Sequence, residues 1–71
     1  MKENRSSYFA TKLRDLIFYY ELSVEDFAKR IGVDKTNVYK WLSGKSKPHF
    51  EALAAISREF DVDLNEYVKE D

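Results

Sequence analysis

Between Lys35 and Lys47 the chain concentrates hydrogen-bond donors: Lys35, Thr36, Asn37, Tyr39 and Lys40 come first, and Ser43, Lys45, Ser46 and Lys47 follow. Ammonium, hydroxyl and amide groups at this density suit a partner rich in acceptors. A phosphate takes the charged donors, and the edge of a base takes a directed one. The spacing says how the donors are presented. Val38, Trp41 and Leu42 stand at i, i+3 and i+4, so a helix here puts an apolar stripe on one side and the polar, basic residues on the other.

Such a helix needs a second element to lie on, and the preceding residues supply one. Ser23 with Asp26 three residues on is a capping pair, so a helix is expected from about Val24. Phe27, Ala28 and Ile31 form its apolar stripe, and Ala28 is small enough for a neighbouring helix to pass close. Gly32 stands one step past that stripe, where a left-handed residue ends the helix, and Asp34 is placed to cap the next. Residues 24–43 therefore read as two short helices joined by a tight turn.

The rest of the chain extends this pattern into one all-helical domain. Helix one is predicted over about Ser7–Tyr20, with Phe9, Leu13, Leu16, Ile17 and Tyr20 inward. Helix two covers about Val24–Ile31 and helix three about Lys35–Leu42. A loop from Gly44 to Pro48 precedes helix four at about Phe50–Phe60, which should bury Phe50, Leu53, Ile56 and Phe60. Asp63 can cap a short fifth helix carrying Leu64, Tyr67 and Val68. Five helices thus enclose a single core in residues 1–71, with 1–6 as a flexible leader.

Composition agrees with this. The 71 residues are 44% hydrophobic with two glycines and one proline, leaving room for one core and little scope for long loops. There is no cysteine, hence no disulfide framework or thiolate metal site. No apolar run approaches the length of a membrane span and Met1–Ser7 lacks a signal-peptide core, so a cytoplasmic location without membrane attachment is the default.

The net charge of −1 conceals a strong segregation. Residues 29–49 carry six bases against one acid, a surplus of +5, while residues 50–71 carry two bases against seven acids. A chain so polarised approaches a polyanion with its middle segment foremost.

Taken together, Leu22-Ser23, Phe27-Ala28, Gly32-Val33, Val38, the run Trp41-Leu42-Ser43-Gly44-Lys45-Ser46-Lys47-Pro48, Leu53, Ile56, Phe60-Asp61-Val62 and Leu64 resemble the framework of the Cro and lambda-repressor-like helix-turn-helix family of bacterial and phage regulators. The resemblance covers nearly the whole chain. It implies a compact five-helix domain that binds double-stranded DNA sequence-specifically, as a transcriptional regulator and most simply a repressor, with helix three in the major groove. Lys35, Thr36, Asn37 and Lys40 are then the candidates for base edges: lysine for guanine O6 and N7, the Thr36 methyl for thymine, and Asn37 for adenine. Tyr39, Ser43, Lys45, Ser46 and Lys47 are the candidates for phosphates, which fix register without carrying sequence information. No cofactor and no small-molecule effector site are expected, and the chain reads equally as a complete small regulator or as an N-terminal piece of a larger one.

Three positions depart from the family pattern. Val24 stands where many members carry a phosphate-contacting Gln. Ile17 and Leu42 occupy places often held by a paired Arg and Glu, so both partners have become apolar together. Glu21 replaces a Gly between helices one and two, at a cost of about 1 kcal/mol if that turn is left-handed.

Other readings of these residues are less sharp. Glu25, Asp26, Asp61 and Asp63 sit at predicted helix starts, where the helix dipole accounts for them, and His49 is a lone, exposed histidine. Neither a catalytic constellation nor a metal site follows, so no enzymatic activity is expected. Trp41 reads as core, and Tyr39 as either a phosphate ligand or a surface aromatic. Tyr8, Phe18 and Tyr19 lie off the inward face of helix one and mark a candidate protein interface. That surface serves a homodimer on two half-sites or, as the alternative to DNA reading, an interaction module of antitoxin or regulator-binding type.

Overall fold

The computed structural model describes residues 7–67. Four α-helices run along the chain: α1 (Ser7–Tyr19), α2 (Val24–Ile31), α3 (Lys35–Ser43) and α4 (Phe50–Phe60). A single 3-10 turn at Leu64–Glu66 follows, and no strand occurs among the described residues. The expected fifth helix is thus only this turn. Asp63 caps it as anticipated, its Oδ1 accepting from the Asn65 backbone N–H at 3.0 Å. The expectations for the 1–6 leader, the Leu64 side chain and Val68 fall outside what the structure describes.

Local chemistry explains where α2 and α3 begin and end. The Ser23 side chain accepts from the Asp26 N–H at 3.0 Å, satisfying one of the unpaired donors at the start of α2. Gly32 ends that helix at φ 76° and Gly44 ends α3 at φ 82°, both in the left-handed region that glycine enters without cost from a Cβ. Asp34 stands at the N-cap of α3, yet its carboxylate makes no capping hydrogen bond. The backbone alone supports that start.

The junction between α1 and α2 solves the same problem without glycine. Leu22 N–H reaches back to the Ile17 carbonyl at 3.1 Å, and this leaves Glu21 at φ 56°. Asp61 does likewise after α4, at φ 57°. Here the strain foreseen at Glu21 is present in the backbone.

Packing places α1 against α3, and α2 against both α3 and α4. Phe27, Leu13, Ile56 and Val38 are fully enclosed at the centre. Phe27 stacks on Phe60 with ring centroids 5.3 Å apart, joining α2 to α4. Trp41 is core, meeting Phe9 edge-on at 6.4 Å, and Phe9 in turn meets the buried Tyr67 at 6.2 Å. Burying a side chain of Phe27's size contributes about 1.5–3 kcal/mol. Val24, where the family often has Gln, packs on the rim of this core, as do Leu42 and Leu53.

Two residues expected inside are outside. Phe50 is 72% exposed, whereas α4 buries Ile56 and Phe60 and packs Ala52, Leu53 and Ala55 partly against the core. Tyr20 falls just past the end of α1 and is 41% exposed, its ring 5.1 Å from Phe60 and its hydroxyl donating to the Phe60 carbonyl at 3.5 Å. No helix among the described residues is long and apolar enough to cross a membrane.

Candidate nucleic-acid interface

α3 divides cleanly into an inner and an outer face. Val38 and Trp41 are buried, while Lys35, Thr36, Asn37, Tyr39 and Lys40 are all exposed. The separation follows from helical spacing once α1 and α2 cover the apolar stripe. The sequence-predicted base-reading set therefore shares one solvent-facing surface.

The loop after α3 is folded back onto that helix. Lys45 N–H donates to the Lys40 carbonyl at 2.9 Å and Ser46 N–H to the same carbonyl at 3.4 Å, a closure that the left-handed Gly44 permits. Lys45 and Lys47 are thereby held next to α3 as exposed cations. Ser43 is exposed as well. Its hydroxyl donates to the Lys40 carbonyl at 3.1 Å, so offering its proton to a phosphate requires breaking that bond.

A groove between α3, this loop and α4 gathers Asn37, Lys40, Ser46, Lys47, His49 and Arg58. Arg58 and His49 were not among the predicted contact residues. Arg58 sits ten residues beyond Pro48 on another helix, and only the packing of α4 brings it to the groove. Phe50, next to His49 in the chain and expected in the core, is exposed and does not line the groove.

The basic residues are not equivalent. Arg30 is committed to structure: its Nε donates to Glu59 at 2.9 Å and its guanidinium lies 4.9 Å from the Phe60 ring centre, linking α2 to α4. Lys35 Nζ is 2.8 Å from Glu25 Oε2, an ion pair between the first turns of α2 and α3. The hydrogen bond from Lys35 and its charge hold the Glu25 carboxyl below the usual glutamate range, and the same bond raises Lys35 above the usual lysine range. Lys40, Lys45 and Lys47 form no ion pair among the described residues. A polyanion finds these three immediately available.

The predicted protein interface is assembled only in part. Phe18 and Tyr19 are 82% and 77% exposed and, with Leu22, line a shallow depression rimmed by Asp15 and Glu21. Tyr8 is half-buried and does not line it.

Comparison with known proteins follows the same lines. The helix-turn-helix family profile matches residues 20–67, more than half of the chain. The HTH-type transcriptional activator BcrR of Enterococcus faecalis is 38% identical over 58 residues, which cover 82% of this chain. The matched region spans 28% of that relative's length. No solved structure gives a significant match.

Proposed function

This chain belongs to the helix-turn-helix family, and we propose that it binds double-stranded DNA sequence-specifically as a transcriptional regulator, setting α3 into the major groove. The observation that carries this reading is the division of α3. Its inner face is core, and its outer face offers Lys35, Thr36, Asn37 and Lys40 beside the cationic loop of Lys45 and Lys47. In this reading Asn37 and Lys40 meet base edges, Lys45, Lys47 and Arg58 meet phosphates, and Tyr39 and Ser46 add neutral backbone contacts. Thr36, in the first turn of α3, supplies a methyl for thymine. No catalysis, cofactor or small-molecule effector enters the proposal.

We assign repression by occupancy as the simplest outcome, since covering a promoter requires only the DNA-binding face. The relative is named as an activator, and activation requires a second contact with the transcription machinery. Fluorescence anisotropy of a labelled random duplex, titrated at about 50 mM and about 200 mM salt, tests the reading. Binding that weakens about tenfold or more between the two and is lost in the Lys40→Glu, Lys47→Glu variant supports it. A folded protein that binds no duplex at the lower salt overturns it.

A protein-binding role has its own observation, the exposed Phe18 and Tyr19. We propose a second copy as the partner, pairing two domains on half-sites about one DNA turn apart. The carboxylates of Asp15 and Glu21 at the rim weaken that contact off DNA, so pairing belongs to the DNA-bound state. Phe18→Ala then abolishes cooperative binding to a two-half-site duplex and leaves single-site affinity unchanged. Loss of both, or of neither, removes the assignment.

A further inference from the structure

Lys35 opens the helix that faces DNA in the reading above, yet its ammonium is already engaged by Glu25 at 2.8 Å. Both side chains are more than half exposed, so the pair lies at the surface and not in the core. Glu25 is the second residue of α2 and Lys35 the first of α3, so the contact joins the leading ends of the two helices of the motif.

We propose that Glu25 is a specificity-determining residue that withholds Lys35 from phosphates and directs it to base edges. The inference rests on the DNA-binding reading. A free lysine is a point charge on a flexible four-carbon stem, and any phosphate within reach takes it, with counterion release and without regard to sequence. Beside Glu25 the ammonium is already neutralised. A phosphate must displace one anion to install another, so the exchange releases little and adds little affinity. A base edge makes no such demand. The ammonium has three N–H donors, one of which is spent on Glu25, and the others remain for guanine O6 or N7 without breaking the pair. Glu25 thus removes one non-specific contact while keeping the specific one, which widens the ratio between chosen and random sites.

The neighbouring Asp26 provides the control, because its carboxylate has no ion-pair partner among the described residues and carries the same charge. Glu25→Gln should bind random duplex more tightly. Its affinity ratio between about 50 mM and about 200 mM salt should grow by about 3.5-fold, the factor contributed by one additional phosphate contact. Asp26→Asn should leave that ratio unchanged. In a Lys35→Met background Glu25→Gln should behave like Asp26→Asn, and against a selected duplex Glu25→Gln should lose discrimination. Circular dichroism establishes that each variant is helical. An unchanged salt dependence in Glu25→Gln, or the same change with Lys35 absent, overturns the proposal while the wild-type protein still binds DNA. Failure of both wild type and Glu25→Gln to bind any duplex removes the DNA-binding reading itself.

Discussion

Arg14 donates from its guanidinium to the main-chain carbonyl of Leu42 at 3.3 Å, tying α1 to the C-terminal end of α3. The family resemblance places an ion pair at positions 17 and 42. In this chain Ile17 is buried, Leu42 packs on the rim of the core, and a cation one helical turn before Ile17 reaches the backbone instead. The C-terminal end of a helix carries partial negative charge, so an exposed guanidinium is favourable there without the desolvation a buried pair demands.

Arg14→Met should therefore lower stability only modestly, by about 0.3–1 kcal/mol in urea titration. Ile17→Arg should cost about 3–5 kcal/mol, because it strands a charge in the core, and adding Leu42→Glu should recover part of that loss.

The left-handed residues offer a second comparison. Glu21→Gly should raise stability by about 0.5–1 kcal/mol, since it relieves a Cβ at φ 56°. Gly32→Ala should lower it by about 1 kcal/mol through φ alone, because a Cβ built on Gly32 meets no atom within 4 Å. Gly32→Asn should fall between the two. Thermal unfolding of the three variants ranks them.

Phe27→Ala should cost about 3–5 kcal/mol, as it empties the centre of the core and removes the ring stacked on Phe60. Chemical denaturation followed by tryptophan fluorescence reads this through Trp41, which lies in the same core.

The Glu25–Lys35 pair has a defined pH window. Glu25 is lowered in the folded state, so its contribution is present above the unfolded carboxyl pKa and is lost as pH falls through the folded one. Lys35 is raised, so its contribution is present below the unfolded lysine pKa and is lost as pH rises through the folded one. Carbon-detected NMR titration should place the Glu25 midpoint below the ordinary glutamate value of 4.5, and Lys35→Met should move it back up.

Base and phosphate roles separate by how variants respond. Lys45→Ala and Lys47→Ala should weaken selected and random duplexes alike and reduce the salt slope by about one each. Lys40→Ala and Asn37→Ala should relax selection at one or two base positions, read by selection from a randomised duplex pool.

The legible parts of this protein were those governed by neighbours in the chain. The limits of α2 and α4, the Ser23 cap and the left-handed Gly32 follow from side-chain and backbone chemistry within about one helical turn, and the structure places each as the spacing predicts. The exposed face of α3 was legible for the same reason, because Val38 and Trp41 are its buried residues and stand three apart.

What the spacing left undetermined depends on which helix covers which, and at what point along its length. The apolar stripe of α4 extends to Phe50, but the core closes over Ile56 and Phe60 and leaves the Phe50 ring in solvent. The Asp63 cap was legible, yet it starts a 3-10 turn in place of a fifth α-helix. Glu25 with Lys35, Arg30 with Glu59, and Arg14 with the Leu42 carbonyl are separated by 10, 29 and 28 residues. The motif, its turns and its basic face follow from residues close together in the chain. Tertiary structure decided which cations are already spent, because a charge finds its partner through the packing of helices and not through its place in the chain.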